Sequence, residues 1–174
     1  MHIVGDSVVL GAGWTLRRTI AGAVIDAEVG RQGHQALRLL RQKIAERALC
    51  PNVVLHIGTN GYLDEPRYLE LVGLLARRGP LVLVTLRADR RWTEANNTLI
   101  ARAARETAGV RLVDWSAESD TQPQYFVQDG IHLTVAGMKV FAEQIRSALH
   151  GSGPESDPAV PVPGQAALAR GPAV

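Results

Sequence analysis

Apolar residues in this chain fall into two alternating textures: short, mostly apolar runs, and longer segments where they recur every three or four positions. The runs are Ile3-Val4 before Gly5, Ala23-Val24-Ile25 before Asp26, residues 53–57 before Gly58, residues 81–84 before Thr85 and residues 110–113 before Asp114. They are too short for helices and do not alternate apolar with polar, the pattern of strands buried on both faces. Between them Ala36, Leu39, Leu40, Ile44 and Ala48 make one helical stripe, and Leu69, Val72, Leu75 and Ala76 a second. Leu99, Ile100, Ala103, Ala104 and Ala108 make a third. Val135, Met138, Phe141, Ala142, Ile145 and Leu149 make the last, with Thr134 placed to cap it. Strands alternating with helices predict an α/β domain around a mainly parallel sheet of about five strands.

The texture breaks after His150. Residues 151–174 are rich in Gly, Pro and Ala without a large apolar stripe, so residues 1–150 are expected to form one domain and 151–174 a disordered or weakly docked tail. At 46% hydrophobic residues the chain can bury a core, and a net charge of +2 gives no basic face for a nucleic acid. Cys50 is the only cysteine, which excludes an internal disulfide and leaves an inert thiol as the expectation. No stretch reaches the roughly 18 apolar residues of a membrane span, and no basic-then-apolar leader precedes the first run. The expectation is a chain without a membrane segment: cytoplasmic if complete, extracytoplasmic if a piece of a membrane acyltransferase.

Parallel α/β sheets bind ligands at the carboxyl ends of their strands, so the residues following each run are where chemistry belongs. Ser7 follows the first run and opens the first helix, among free backbone N–H groups; its ordinary occupation there would be an N-cap. A serine hydroxyl needs a base, and the base needs a carboxylate to fix its tautomer. Asp129 and His132, three apart around Gly130 at the entry to the last helix, supply both. Asn60, between Thr59 and Gly61, has an amide able to donate to an oxyanion, and Gly30 a bare backbone N–H; each alone reads as a turn residue. Asp6 is expected to organise its turn and His56 to be a satisfied core histidine. No His, Asp, Glu or Cys cluster has metal-ligand spacing, and Gly11-Ala12-Gly13 is no dinucleotide fingerprint, so neither metal nor cofactor is expected.

Taken in order, Gly5-Asp6-Ser7, Gly30, Gly58-Thr59-Asn60 and Asp129-Gly130-Ile131-His132 resemble the four blocks of the SGNH (GDSL-type) hydrolase superfamily. Residues 26–32, Trp92 with Asn96-Asn97, residues 112–115, and Tyr125-Phe126 ahead of the last block are similar to one subgroup: SGNH domains fused behind acyltransferase-3 membrane domains, including peptidoglycan O-acetyltransferases. The resemblance implies a flavodoxin-like three-layer α/β/α sandwich with a five-stranded parallel sheet. It implies Ser7 as nucleophile, His132 as base, Asp129 as its orienter, and the Ser7 and Gly30 N–H groups with the Asn60 amide as oxyanion donors. Arg31, Gln32, Trp92 and Tyr125 are candidates for substrate binding.

The expected function is a serine esterase acting through an acyl-serine on short, acetyl-like O-esters, with an O-acetylated carbohydrate as substrate. Its first rival is an O-acetyltransferase domain that moves acetyl to a cell-envelope glycan, working with a membrane acyltransferase partner. The second is a non-catalytic module binding a glycan or flavin on the same scaffold, in which Ser7, Asp129 and His132 do nothing.

Overall fold

The computed structural model describes residues 1–151; the tail expected over 151–174 lies, apart from Gly151, outside the described residues. Five parallel strands form one sheet: β1 (His2–Gly5), β2 (Val24–Ala27), β3 (Val53–His56), β4 (Leu81–Val84) and β5 (Val110–Val113), in the order β2-β1-β3-β4-β5. Helices α1 (Ser7–Thr19), α2 (Gly33–Ala45), α3 (Glu65–Ala76) and α4 (Thr93–Glu106) connect successive strands. A short α5 (Trp115–Ser119) follows β5, and α6 (Val135–His150) closes the fold. This is the flavodoxin-like α/β/α sandwich expected, with β1, β3 and β4 buried along their whole length as unbroken apolar runs require.

The two faces of the sheet carry separate cores. Ile3, Val54, Val82 and Val84 point toward α1 and α6, where Trp115 and Phe141 are fully buried. Val4, Val53, Leu55, Leu81 and Leu83 point the other way, toward Ala36 and Leu40 of α2, Leu71 and Leu75 of α3, and Ile100 and Ala103 of α4. Trp115 anchors the first core: its ring lies edge-on to Phe141 at 5.2 Å between centroids and stacks on Tyr125 at 6.1 Å.

The strand order reverses direction at β1. The chain leaves β1 toward β2 on one side and returns to add β3 on the other, which opens a crevice beyond the carboxyl ends of β1 and β3. The residues at those two ends are Asp6-Ser7 and Gly58-Thr59-Asn60.

Candidate active site

Asp6, not Ser7, caps the first helix. Its carboxylate accepts from the Val8 N–H at 3.1 Å, which leaves Ser7 as the first helical residue with its hydroxyl free. The Ser7 N–H, in the opening turn, has no acceptor within the helix. Gly5 permits this tight entry. A Cβ there would run into the Val9 side chain and approach the His56 carbonyl to 3.1 Å.

His132 is held on a compact loop. The Asp129 carboxylate accepts from the Ile131 and His132 N–H groups through Oδ1, both at 2.9 Å. Gly130, at φ +68°, turns the chain between them. The Val127 N–H donates to the His132 carbonyl at 2.9 Å, and Phe126 pairs with Leu133 as an antiparallel bridge. Thr134 caps α6 as expected, accepting from the Gly137 N–H at 3.3 Å. Gly137 lets the loop lie flat on α6, since a Cβ there would collide with the Tyr125 carbonyl.

These two pieces, 125 residues apart in sequence, meet over the sheet edge. The His132 Nδ1–H donates to Asp129 Oδ2 at 2.6 Å, and with that proton fixed, Nε2 is left to accept from the Ser7 hydroxyl at 2.9 Å. The hydrogen bond from the imidazole, then those from the His132 and Ile131 N–H groups, hold the Asp129 carboxyl down to about 2. The carboxylate therefore stays charged opposite the ring throughout the neutral range. Both side chains are 46% exposed.

The candidate oxyanion donors lie on the neighbouring loops. Gly30 stands at φ +72° in a turn closed by the Arg31 N–H to the Glu28 carbonyl at 3.3 Å, and its own N–H makes no backbone hydrogen bond among the described residues. Asn60 donates one amide hydrogen to the Arg31 carbonyl at 3.3 Å, which ties the β3 loop to the Gly30 loop and leaves the other hydrogen free.

The four residues expected to touch substrate all have contacts within the fold. The Arg31 guanidinium is buried, donating to the Gly5 carbonyl at 3.3 Å, to the Asp26 carbonyl at 2.7 Å and to the Asp26 carboxylate at 2.9 Å. It ties β1 to the loop after β2. Tyr125 is half-buried against Trp115. Gln32 caps α2 in a reciprocal box with Gln35. Trp92 is half-buried, its indole N–H given to the Thr59 carbonyl at 3.1 Å.

Tyr62, 60% exposed, was not singled out from the sequence; its ring lies 6.0 Å from that of Trp92, tilted by 60°. His56 is in the core, but neither ring nitrogen has a hydrogen-bond partner among the described residues, so it is not a satisfied core histidine. It sits 3.8 Å from the Asp6 carboxylate, whose Oδ2 is also unpartnered. Burial pushes the His56 imidazole down, against the opposing charge of Asp6. Among the described residues no cluster of His, Cys, Asp and Glu could hold a metal. An open cavity of about 820 Å³ lies between α4 and α5, lined by Thr85, Asn97 and Asp114; neither Ser7 nor His132 borders it.

No family model matches the sequence. The chain is 34% identical over 146 residues to a Bacillus subtilis strain 168 protein that carries the provisional name peptidoglycan O-acetyltransferase YrhL, covering 84% of this chain and 23% of that one. It is 35% identical over 144 residues to the O-acetyltransferase OatA of Staphylococcus aureus strain NCTC 8325, covering 82% of this chain and 24% of that one. The chain thus spans about a quarter of the length of these relatives. Its fold matches the C-terminal catalytic domain of Streptococcus pneumoniae peptidoglycan O-acetyltransferase A, solved with a methylsulfonyl adduct, at TM-score 0.67 and 22% identity over 86% of this chain and 91% of that one. It also matches an acetyl xylan esterase, AlAXEase, at TM-score 0.69 and 14% identity over 86% of this chain and all of that one.

Proposed function

This chain belongs to the SGNH (GDSL-type) superfamily, and from that premise we propose that it transfers short acyl groups, acetyl above all, between oxygen atoms of carbohydrates or to water through an acyl-enzyme on Ser7. The observation that carries the reading is the hydrogen-bonded line Ser7 Oγ, His132 Nε2, His132 Nδ1, Asp129 Oδ2, with spacings of 2.9 Å and 2.6 Å at its two links.

His132 takes the Ser7 proton as Oγ attacks the ester carbonyl, and Asp129 stabilises the imidazolium so formed. The carbonyl oxygen becomes an oxyanion facing the Ser7 N–H, the Gly30 N–H and the Asn60 amide. When the tetrahedral intermediate collapses, the bond to the alcohol oxygen breaks and His132 hands its proton to that leaving alcohol. His132 then deprotonates water or a sugar hydroxyl, which attacks the acyl-serine and restores the Ser7 hydroxyl.

The open setting supports a small acyl group on a bulky alcohol. Ser7 is partly exposed and the His132 and Asp129 side chains are half-exposed, so the reacting groups lie open to solvent. The exposed Tyr62 ring beside Trp92 offers a flat apolar surface of the kind a pyranose packs against. Hydrolysis and transfer use the same residues and differ in what intercepts the acyl-enzyme; the 34% identity to a relative provisionally named peptidoglycan O-acetyltransferase favours a sugar hydroxyl as acceptor.

The test is turnover of p-nitrophenyl acetate and labelling by a fluorophosphonate. Both are expected to vanish in Ser7→Ala, and turnover that persists in that variant would end the proposal. Acetate released against acetyl recovered on an added oligosaccharide of N-acetylglucosamine then separates hydrolysis from transfer.

A further inference from the structure

One turn of α4 grips the loop that carries Asn60. Trp92 and Asn96, four residues apart and so on one face of the helix entry, make four hydrogen bonds to the backbone of residues 58–63. The Trp92 indole donates to the Thr59 carbonyl at 3.1 Å. The Asn96 amide donates to the Gly58 and Gly61 carbonyls, both at 2.9 Å, and its oxygen accepts from the Leu63 N–H at 3.0 Å.

The grip falls where the loop is least able to hold itself. Gly58 and Gly61 stand at φ +116° and +154°, a region L-residues avoid, and these are the two residues whose carbonyls Asn96 takes. The fit is close as well. A Cβ on Gly58 would lie 2.9 Å from the Asn96 amide nitrogen. Asn96 is 2% exposed, with both amide hydrogens and the oxygen engaged, so nothing polar on it remains for a ligand. Asn60 sits inside the gripped segment and is tied on its far side only by the 3.3 Å bond to the Arg31 carbonyl.

We propose that Asn96, seconded by Trp92, is a positioning residue for the oxyanion donor Asn60. Held at Gly58, Thr59, Gly61 and Leu63, the loop presents the Asn60 amide at a fixed place, so that its free hydrogen needs no reorganisation as charge develops on the substrate oxygen. The inference rests on the role of Asn60 given above.

The experiment is a double-mutant cycle on p-nitrophenyl acetate turnover, with urea midpoints measured alongside. Asn96→Asp keeps the acceptor for Leu63 and removes both donors; Trp92→Phe keeps one aromatic ring and removes the indole N–H together with part of the ring surface. A displacement on the order of 1 Å at a reacting centre costs up to about 100-fold. Asn96→Asp is therefore expected to lower kcat by roughly 10- to 100-fold with KM within about twofold. In an Asn60→Ala background the same change is expected to cost less than about threefold, since the group it positions is gone.

Equal fold-losses in both backgrounds would overturn the proposal, because a residue that merely holds the fold together acts whether or not Asn60 is present. Unchanged kcat in Asn96→Asp beside a crippled Asn60→Ala would sink this proposal alone. Unchanged kcat in Asn60→Ala would sink the donor role with it. If Asn96→Asp does not fold, Trp92→Phe decides by the same comparison, with a several-fold loss expected in the native background and none in Asn60→Ala.

Discussion

Replacing Asp129 by Asn isolates what the carboxylate does for the imidazole. The amide oxygen of Asn can still accept from the Ile131 and His132 N–H groups, each 2.9 Å from Oδ1, so the turn keeps its shape. The other position changes character. Where Oδ2 accepts from the imidazole at 2.6 Å, an amide NH₂ can only donate, which forces the ring proton onto Nε2. The ring then offers Ser7 a hydrogen in place of a lone pair, and the nucleophile loses its base.

In a Ser-His-Asp triad this exchange costs about 10⁴-fold in kcat. Asp129 is 46% exposed, so water can partly take over its duty, and the expected loss is about 10³- to 10⁴-fold, or roughly 4–5.5 kcal/mol of transition-state stabilisation. Fluorophosphonate labelling is expected to slow in parallel while Tm moves by only about 2–4 °C, the equivalent of about 1 kcal/mol in a chain of this size. Asp129→Ala, which strips the turn of its acceptors as well, is expected to lose more stability than Asp129→Asn. Turnover by Asp129→Asn within about tenfold of the native protein would refute the assignment of the carboxylate as orienter.

Gly137→Ala forces the Tyr125 carbonyl off α6 and is expected to cost about 1–3 kcal/mol in urea unfolding, with a loss of kcat because the same loop carries His132; unaltered stability would mean the loop is not seated as described. Tyr62→Ala removes the exposed ring beside Trp92. It is expected to raise KM severalfold for an acetylated oligosaccharide and to leave p-nitrophenyl acetate unaffected, and equal effects on both would remove Tyr62 from the sugar surface. Acid should weaken the fold in two windows. Burial holds the folded His56 below its ordinary 6.5, so the unfolded chain gains a proton first and stability falls as pH drops below that value. Asp129, held down to about 2 from 3.8, contributes stability above its ordinary value and loses it as pH falls from there through about 2. Urea midpoints between pH 8 and pH 2 check both, with His56→Leu expected to flatten the upper window; a native midpoint unchanged from pH 7 to pH 5 would contradict the first.

The sheet was legible because short apolar runs mark its strands, and β3, β4 and β5 fall within a residue of theirs; burial on both faces holds for β1, β3 and β4 but not for the edge strands β2 and β5, which are partly exposed. That Ser7, Asp129 and His132 meet was legible because strand ends and helix entries place them at one edge; Asp6 organises its turn as expected, by accepting from the Val8 N–H, and in doing so takes the cap that Ser7 could have filled. For Arg31 the sequence left substrate binding and a structural role open, because a charged side chain carries no mark of burial; the carbonyls of Gly5 and Asp26 and the Asp26 carboxylate, brought together by the β1-β2 pairing, hold it in the fold. Asn96 entered the sequence reading only through the family resemblance, and its position in α4 carried a further signal. It stands three and four residues ahead of Leu99 and Ile100, on the apolar stripe of α4, where a polar side chain must have partners. Tyr62 left none, since an exposed aromatic in a loop looks the same whether or not it faces a ligand.

The reacting groups stand on an open shelf rather than at the bottom of a tunnel. On the proposed reading, groups so exposed could meet a long strand along its length, without threading and without a free terminus. What such a shelf gives up is exclusion of water. Under that same proposal, the choice between releasing and relaying the acyl group is then set by how completely an arriving sugar covers Ser7 during the lifetime of the ester.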